Sequence, residues 1–279
     1  MKLFRPLALA LLGAALASGA SAQKKWETVK IATEGAYAPW NFSTPQGKLD
    51  GFEPELAMEL CRRMNVKCEV VAQDWDGIIP ALNAGKYDAI MAGMNVTPKR
   101  EEVIQFSRVY AAGPHGWGAM KDSPLAKLEG EGQILHLEKD AEAAKKMIEA
   151  WKPVLKGKTI GVQGSTTNSA FLEKYFKGVV EIREYKTTEQ HDLDLKAGRI
   201  DGVVAQKSAL SALLGKPDYK DFRLVGPTLV GDVFGKGFAA GLRKEDTALK
   251  AMFDEAIKSA KADGTIDRLA EKWLKAKLE

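Results

Sequence analysis

The sequence predicts an α/β protein made of two similar units. Three observations carry this. Strand and helix patterns alternate from Val29 to Val103, and the same rhythm restarts after residue 155. The chain of 279 residues is 45% hydrophobic and 28% charged, ordinary values for a protein with a substantial core, and its length fits about two domains. The formal charge of +4, from 41 basic and 37 acidic residues, is too small an excess to predict nucleic-acid binding.

Lys2 and Arg5 precede the apolar run from Leu7 to Ala17, and Ala20-Ser21-Ala22 follows. A charged start, a short apolar core and a small-residue cleavage site predict a signal peptide over residues 1–22, cut near Ala22/Gln23. The alternative is a membrane anchor, but the run is shorter than the ~20 residues a spanning helix needs. No Cys follows the site, so a lipid anchor is not expected. The mature product is expected to be soluble and exported to the periplasm.

Val29 to Ala32 then reads as a strand. Pro54 suits a first helical turn, and Leu56, Leu60 and Met64, with Ala57 and Cys61 beside them, mark one face of a helix. Cys61 falls near the end of that helix and Cys68 opens a β-rich run. Export permits a disulfide, which would staple the helix to the next strand and contribute at most about 3 kcal/mol. A redox pair or metal site is the alternative, but neither a CxxC spacing nor a nearby His supports it. Ile78 to Leu82 reads as a helix ended by Gly85, Asp88 to Ala92 as a buried strand, and Thr97 or Pro98 opens a helix through Val103.

Thr159 to Val162, Glu181 to Arg183 and Ile200 to Ala205 are the strands of the second unit. Helices are expected over Ser169 to Phe176, Gln190 to Ala197 and Lys207 to Leu214. Between the units, the Lys- and Glu-rich stretch 129–155 places Ala141, Ala144, Ile148 and Trp151 on one face of an inserted amphipathic helix. The chain closes with a helical region from Asp246 to Leu278, split by Gly264.

Enzyme motifs are largely missing. Lys156-Gly157-Lys158-Thr159 lacks the earlier glycine of a phosphate loop and leads into a strand. Gly235, Gly237 and Gly241 miss the dinucleotide spacing by one residue. His115, His136 and His191 show no metal-ligand spacing, and each is expected to be a surface or packing residue. No cofactor is implied.

Several ordered segments point further. They are Thr33-Glu34-Gly35-Ala36-Tyr37-Ala38-Pro39-Trp40-Asn41-Phe42, Gly51-Phe52-Glu53-Pro54-Glu55-Leu56-Ala57, Trp75-Asp76-Gly77-Ile78-Ile79-Pro80-Ala81-Leu82, Tyr87-Asp88-Ala89-Ile90 and Thr97-Pro98-Lys99-Arg100. Gly198-Arg199-Ile200-Asp201 and Gly264-Thr265 extend the match along nearly the whole mature chain. Together they closely resemble the polar amino-acid solute-binding proteins of bacterial ABC importers, the family 3 extracellular solute-binding proteins. Within that family the chain looks most like binders of lysine, arginine, ornithine and histidine, and of the opines nopaline and octopine. The resemblance implies a two-lobe periplasmic-binding-protein-like fold of type II, with two crossing strands and ligand in the interlobe cleft. Lobe one would comprise residues 24–112 and 229–279, and lobe two 113–228. The implied function is delivery of a basic amino acid or arginine-derived opine to an inner-membrane permease, by a monomer that closes over its ligand.

The residue types at these positions suit that task. A planar guanidinium at Arg100 can hold a carboxylate with two parallel hydrogen bonds, as the matching arginine does in similar proteins. The alternative is a surface salt bridge to Glu101 or Glu102. Thr166 and Thr167, between a strand and a helix, offer hydroxyls and free N–H groups to the same carboxylate, and Gln163 joins the expected set. Tyr37 and Trp75 can clasp a cationic stem through cation–π contact, with Glu34 facing its charged end; the alternative is that either ring is a core aromatic. Gly93, Met94 and Asn95 offer acceptors to an amine. Where the family's lysine-arginine-histidine group has an aspartate for the ligand ammonium, this chain has Gln206, a neutral amide better suited to a substituted amine. Two other readings stay open: an exported enzyme resembling cyclohexadienyl dehydratase, with Glu34 as the working carboxylate, and a receptor sensor domain.

Overall fold

Runs of Val, Ile and Ala that are apolar on both faces form strands only where helices cover both sides of a sheet. The computed structural model describes residues 25–276, so the expected signal peptide lies outside the described residues. The chain begins with strands β1 (Thr28–Thr33), β2 (Ala36–Tyr37), β3 (Asn41–Ser43) and β4 (Leu49–Asp50), helix α1 (Phe52–Met64) and strand β5 (Lys67–Ala72). A 3-10 turn at Trp75–Gly77 leads into α2 (Ile78–Asn83), followed by β6 (Ala89–Ile90), α3 (Pro98–Glu101), β7 (Gln105–Ala111) and β8 (His115–Met120). Next come β9 (Ile134–His136), α4 (Ala141–Leu155), β10 (Thr159–Gln163), α5 (Thr167–Phe176), β11 (Glu181–Tyr185), α6 (Thr188–Lys196), β12 (Gly202–Gln206) and α7 (Lys207–Ser211). The chain then runs through β13 (Phe222–Val230), β14 (Phe238–Leu242), α8 (Thr247–Ala262) and α9 (Thr265–Leu274).

The strands assemble into two main sheets. The first has the order β5-β1-β6-β14-β7 and the second β11-β10-β12-β8-β13-β9, while β2, β3 and β4 form a small third sheet. In the first, β1 runs parallel to β5 and β6, and β14 pairs antiparallel with both β6 and β7. In the second, β10 is parallel to β11 and β12, but β8 is antiparallel to β12 and β13. The sequence pattern predicted β1, β5, β6, β10, β11 and β12 but not the short strand β9, which runs parallel to β13. The antiparallel ones β7, β8, β13 and β14 escaped it because polar residues in β7 and glycines in β8, β13 and β14 dilute the apolar signal along the two passages between sheets. The result is a two-lobe type II fold whose lobes are joined by two crossings.

Each lobe has its own core. Helices α1, α8 and α9 cover one face of the first sheet with Phe52, Leu56, Leu60, Phe253, Ile257 and Ile266. Trp117, Trp151, Phe171 and Phe176 form an edge-to-face aromatic cluster in the second. The inserted stretch 129–155 is not one helix. Ile134–His136 pairs with β13, and only Ala141–Leu155 is helical, burying Ala144, Ile148 and Trp151 but leaving Ala141 exposed. The expected helix to Val103 stops at Glu101, and the expected 88–92 strand pairs only at Ala89–Ile90. Cys61 and Cys68 form a disulfide with Cα atoms 5.9 Å apart, tying α1 to β5.

Candidate functional site

Strand β1 ends at Thr33, and the next residue, Glu34, emerges toward the other lobe only 8% exposed. Burial pushes its carboxyl up to about 7; the Gln163 hydrogen bond opposes this, and the carboxylates of Glu53, Asp74 and Asp76 add to it. Tyr37 passes close to Gly93, where an added Cβ would meet the ring at 2.9 Å and where φ is +59°, so glycine suits this position on two counts. The Gly93 N–H donates to Glu53 Oε1 at 2.7 Å. Glu53 is fully buried and also accepts from Asn41 at 2.6 Å and from the Tyr110 hydroxyl. The Gly-Phe-Glu motif thus anchors the site's floor from behind.

Helix α3 is capped by Thr97, whose hydroxyl accepts from the Arg100 N–H at 3.4 Å. This short helix aims the Arg100 guanidinium into the cleft. Nη1 donates to the Asn95 carbonyl at 2.9 Å, Nη2 to the Ser165 carbonyl at 3.4 Å, and Cζ lies 5.1 Å from the Trp75 ring centroid. Burial lowers its pKa to about 10, which leaves it cationic at neutral pH. Among the described residues no carboxylate lies within ion-pair distance of it; Glu101 pairs with Lys236 instead. The surface salt-bridge alternative is therefore not what this side chain makes.

The second lobe supplies the facing wall. Gln163 ends β10, Ser165 takes a left-handed φ of 58°, and Thr166 caps α5 by accepting from the Ser169 N–H at 3.2 Å. This turn brings the first turn of α5, with Thr167 and Asn168, to the cleft. Three hydrogen bonds join the lobes here: Gln163 Nε2 to Glu34 Oε1 at 2.6 Å, Asn95 Nδ2 to Thr167 Oγ1 at 3.3 Å, and the bond from Arg100 to the Ser165 carbonyl.

Glu34, Tyr37, Trp75, Gly93, Asn95, Arg100, Gln163, Thr166 and Thr167 all line one cavity of about 20 Å³ between the lobes. Two expected residues do not. Met94 is fully buried in the first lobe's core, and its carbonyl accepts from the Ala239 N–H. Gln206 is fully buried beside Gly113, where its amide nitrogen would stand 2.3 Å from an added Cβ. Its Oε1 accepts from the Ser208 hydroxyl, which in turn accepts from the Trp40 indole. His115, expected as a surface or packing residue, is packed against Phe234 and also lines the cavity. Its Nδ1 lies 2.8 Å from Asn168 Oδ1, which makes Nδ1 the donor, and its ring stacks on Phe234 at 4.0 Å. Burial pushes its pKa down to about 4, so it is neutral above that pH. A lone His at the start of an unrecognised strand carried no signal for this role.

Two α/β lobes, a buried interlobe cavity, a cation, a carboxylate and two aromatic rings define a protein that encloses a small polar molecule. The model of the bacterial extracellular solute-binding proteins, family 3, matches residues 29–276, and the chain belongs to that family. It is 53% identical over 278 residues to the octopine-binding periplasmic protein of Rhizobium meliloti, covering 93% of this chain and 94% of the relative. It is 35% identical over 271 residues to the lysine/arginine/ornithine-binding periplasmic protein of Escherichia coli strain K12, covering 96% and 95%. A lysine complex of a periplasmic His/Glu/Gln/Arg/opine family-binding protein from Silicibacter pomeroyi superposes with a TM-score of 0.72 at 32% identity, covering 90% of this chain and 99% of that one.

Proposed function

We propose that this chain is the periplasmic binding component of an ABC importer, and that its ligand is an arginine-derived opine of the octopine kind or arginine itself. The observation that carries the reading is the cavity lining: a half-buried guanidinium at Arg100 and a buried carboxylate at Glu34, with Tyr37 and Trp75 in the same wall. Arg100 and the first turn of α5 are matched to a carboxylate, and Glu34 to a guanidinium or ammonium. The 53% relative, named for octopine, supports the opine. So does the neutrality of His115: Glu34 is the one carboxylate in the lining among the described residues, and a neutral Nε2 acceptor suits a substituted amine.

The mechanism is lobe closure. Ligand binds one lobe, the other closes over it, and the two passages between sheets absorb the rotation. Closure is favoured because contacts to both walls exist only when the lobes meet. Glu34, Tyr37, Trp75, Gly93, Asn95, Arg100, Thr166 and Thr167 as the ligand contacts, the lobe limits at 24–112, 113–228 and 229–279, export by the signal peptide and action as a monomer with a membrane permease belong to the same reading. Thermal shift of refolded protein against octopine, nopaline, arginine, ornithine, lysine and histidine tests it. A true ligand at a hundredfold excess over Kd stabilises by about 2.7 kcal/mol. If none of these shifts the midpoint, the ligand class is wrong. Glu34, with its carboxyl near 7, is also the group a dehydratase would use; turnover of prephenate or arogenate would replace the binding reading with that one.

A further inference from the structure

We propose that Gln163 is an internal competitor for Glu34, a latch between the lobes whose amide holds the carboxylate that a cationic ligand head must reach. This rests on reading the cavity as the ligand site and Glu34 as its cation acceptor. Both donors of the Gln163 amide nitrogen are engaged: one meets Glu34 Oε1 at 2.6 Å, the other the Lys186 carbonyl at 2.9 Å. The Gln163 main chain is pinned as well, its carbonyl accepting from the Thr166 hydroxyl at 2.7 Å. Glu34 and Gln163 are only 8% and 6% exposed, so water does not dilute the bond.

Space makes the competition direct. The cavity of about 20 Å³ holds one water-sized body. A guanidinium or ammonium can take Glu34 Oε1 only if the Gln163 side chain yields its place, and a bidentate pair needs that oxygen. The exchange is favourable in one direction, because a cation forms a stronger bond to a carboxylate than a neutral amide does. Arg100 repeats the logic: its guanidinium rests on two neutral carbonyls, which a ligand carboxylate outcompetes. A latch that favours closure without ligand withdraws part of the population from binding, and apparent affinity falls by that fraction.

The test combines small-angle X-ray scattering with calorimetry on wild type, Gln163→Ala and Gln163→Asn, the last too short by one methylene to span the gap. Without ligand, both variants are expected to show a larger radius of gyration than wild type. With saturating octopine or arginine, all three should reach the same compact value. The variants should bind about threefold to tenfold more tightly than wild type. An unchanged radius without ligand overturns the latch. Weaker binding by the variants also overturns it, because Gln163 would then be a ligand contact. If wild type binds neither compound, the functional reading fails, and the ligand-free scattering alone still decides whether Gln163 holds the lobes together.

Discussion

At the scale of single residues, Glu34 and His115 titrate in opposite senses inside one cavity. The Glu34 carboxyl is raised from 4.5 to about 7, so the folded state holds its proton more tightly than the unfolded chain, and its contribution to stability declines as pH rises from 4.5 to 7. His115 is lowered from 6.5 to about 4, so its contribution declines as pH falls from 6.5 to 4. In wild type the two oppose each other across the same window. Glu34→Gln should therefore unmask the His115 dependence. The melting temperature of wild type minus that of the variant is expected to fall between pH 4.5 and 7; a difference flat in pH would remove the burial argument. Arg100→Ala should cost opine or arginine binding about 2–5 kcal/mol, thirtyfold or more, and affinity within twofold of wild type by calorimetry would show the guanidinium to be idle. Much of this was legible in the sequence, because Glu34, Tyr37, Trp75 and Arg100 lie in contiguous motifs beside strand ends. His115 was not, because its role depends on Asn168 and Phe234, 53 and 119 positions away in the chain.

At the scale of elements, the alternating runs specified the helix–strand units well, since apolar periodicity is a local property. The helix over Phe52–Met64 and the strand over Thr159–Gln163 follow the predicted patterns closely. Strands β8 and β14 were illegible: His115-Gly116-Trp117-Gly118 and Phe238-Ala239-Ala240-Gly241 become strands only because other strands flank them. Gln206 shows the same limit. Its place at the end of β12 was read correctly, but the close passage of Gly113 that buries its amide is a tertiary fact. The Cys61–Cys68 bridge is the element-scale feature with the cleanest consequence. Replacing both cysteines with serine should cost about 2–3 kcal/mol in denaturant unfolding and leave ligand affinity unchanged, because neither residue lines the cavity. A parallel loss of affinity would mean that the bridge positions Glu34 through β1.

At the scale of the whole molecule, the fold divides labour between two cores that meet across a thin polar seam. Besides the cavity bonds, the seam includes the Trp40 indole donating to Ser208 at 2.8 Å. A ligand that replaces these bonds with stronger ones to both walls can tip the balance between the lobes. The order of the first sheet carries one more consequence. Strand β14 sits between β6 and β7, yet it is made after every strand of the second sheet. A growing polypeptide can finish the later half before the earlier one, whose middle stays open until Phe238–Leu242 arrives. Chains truncated before Phe238 should keep the tryptophan fluorescence of the Trp117–Trp151 cluster while failing to protect the backbone amides of β6 and β7 from hydrogen exchange. Such delayed completion leaves the first sheet unsealed until about the final seventh of the chain has been synthesised.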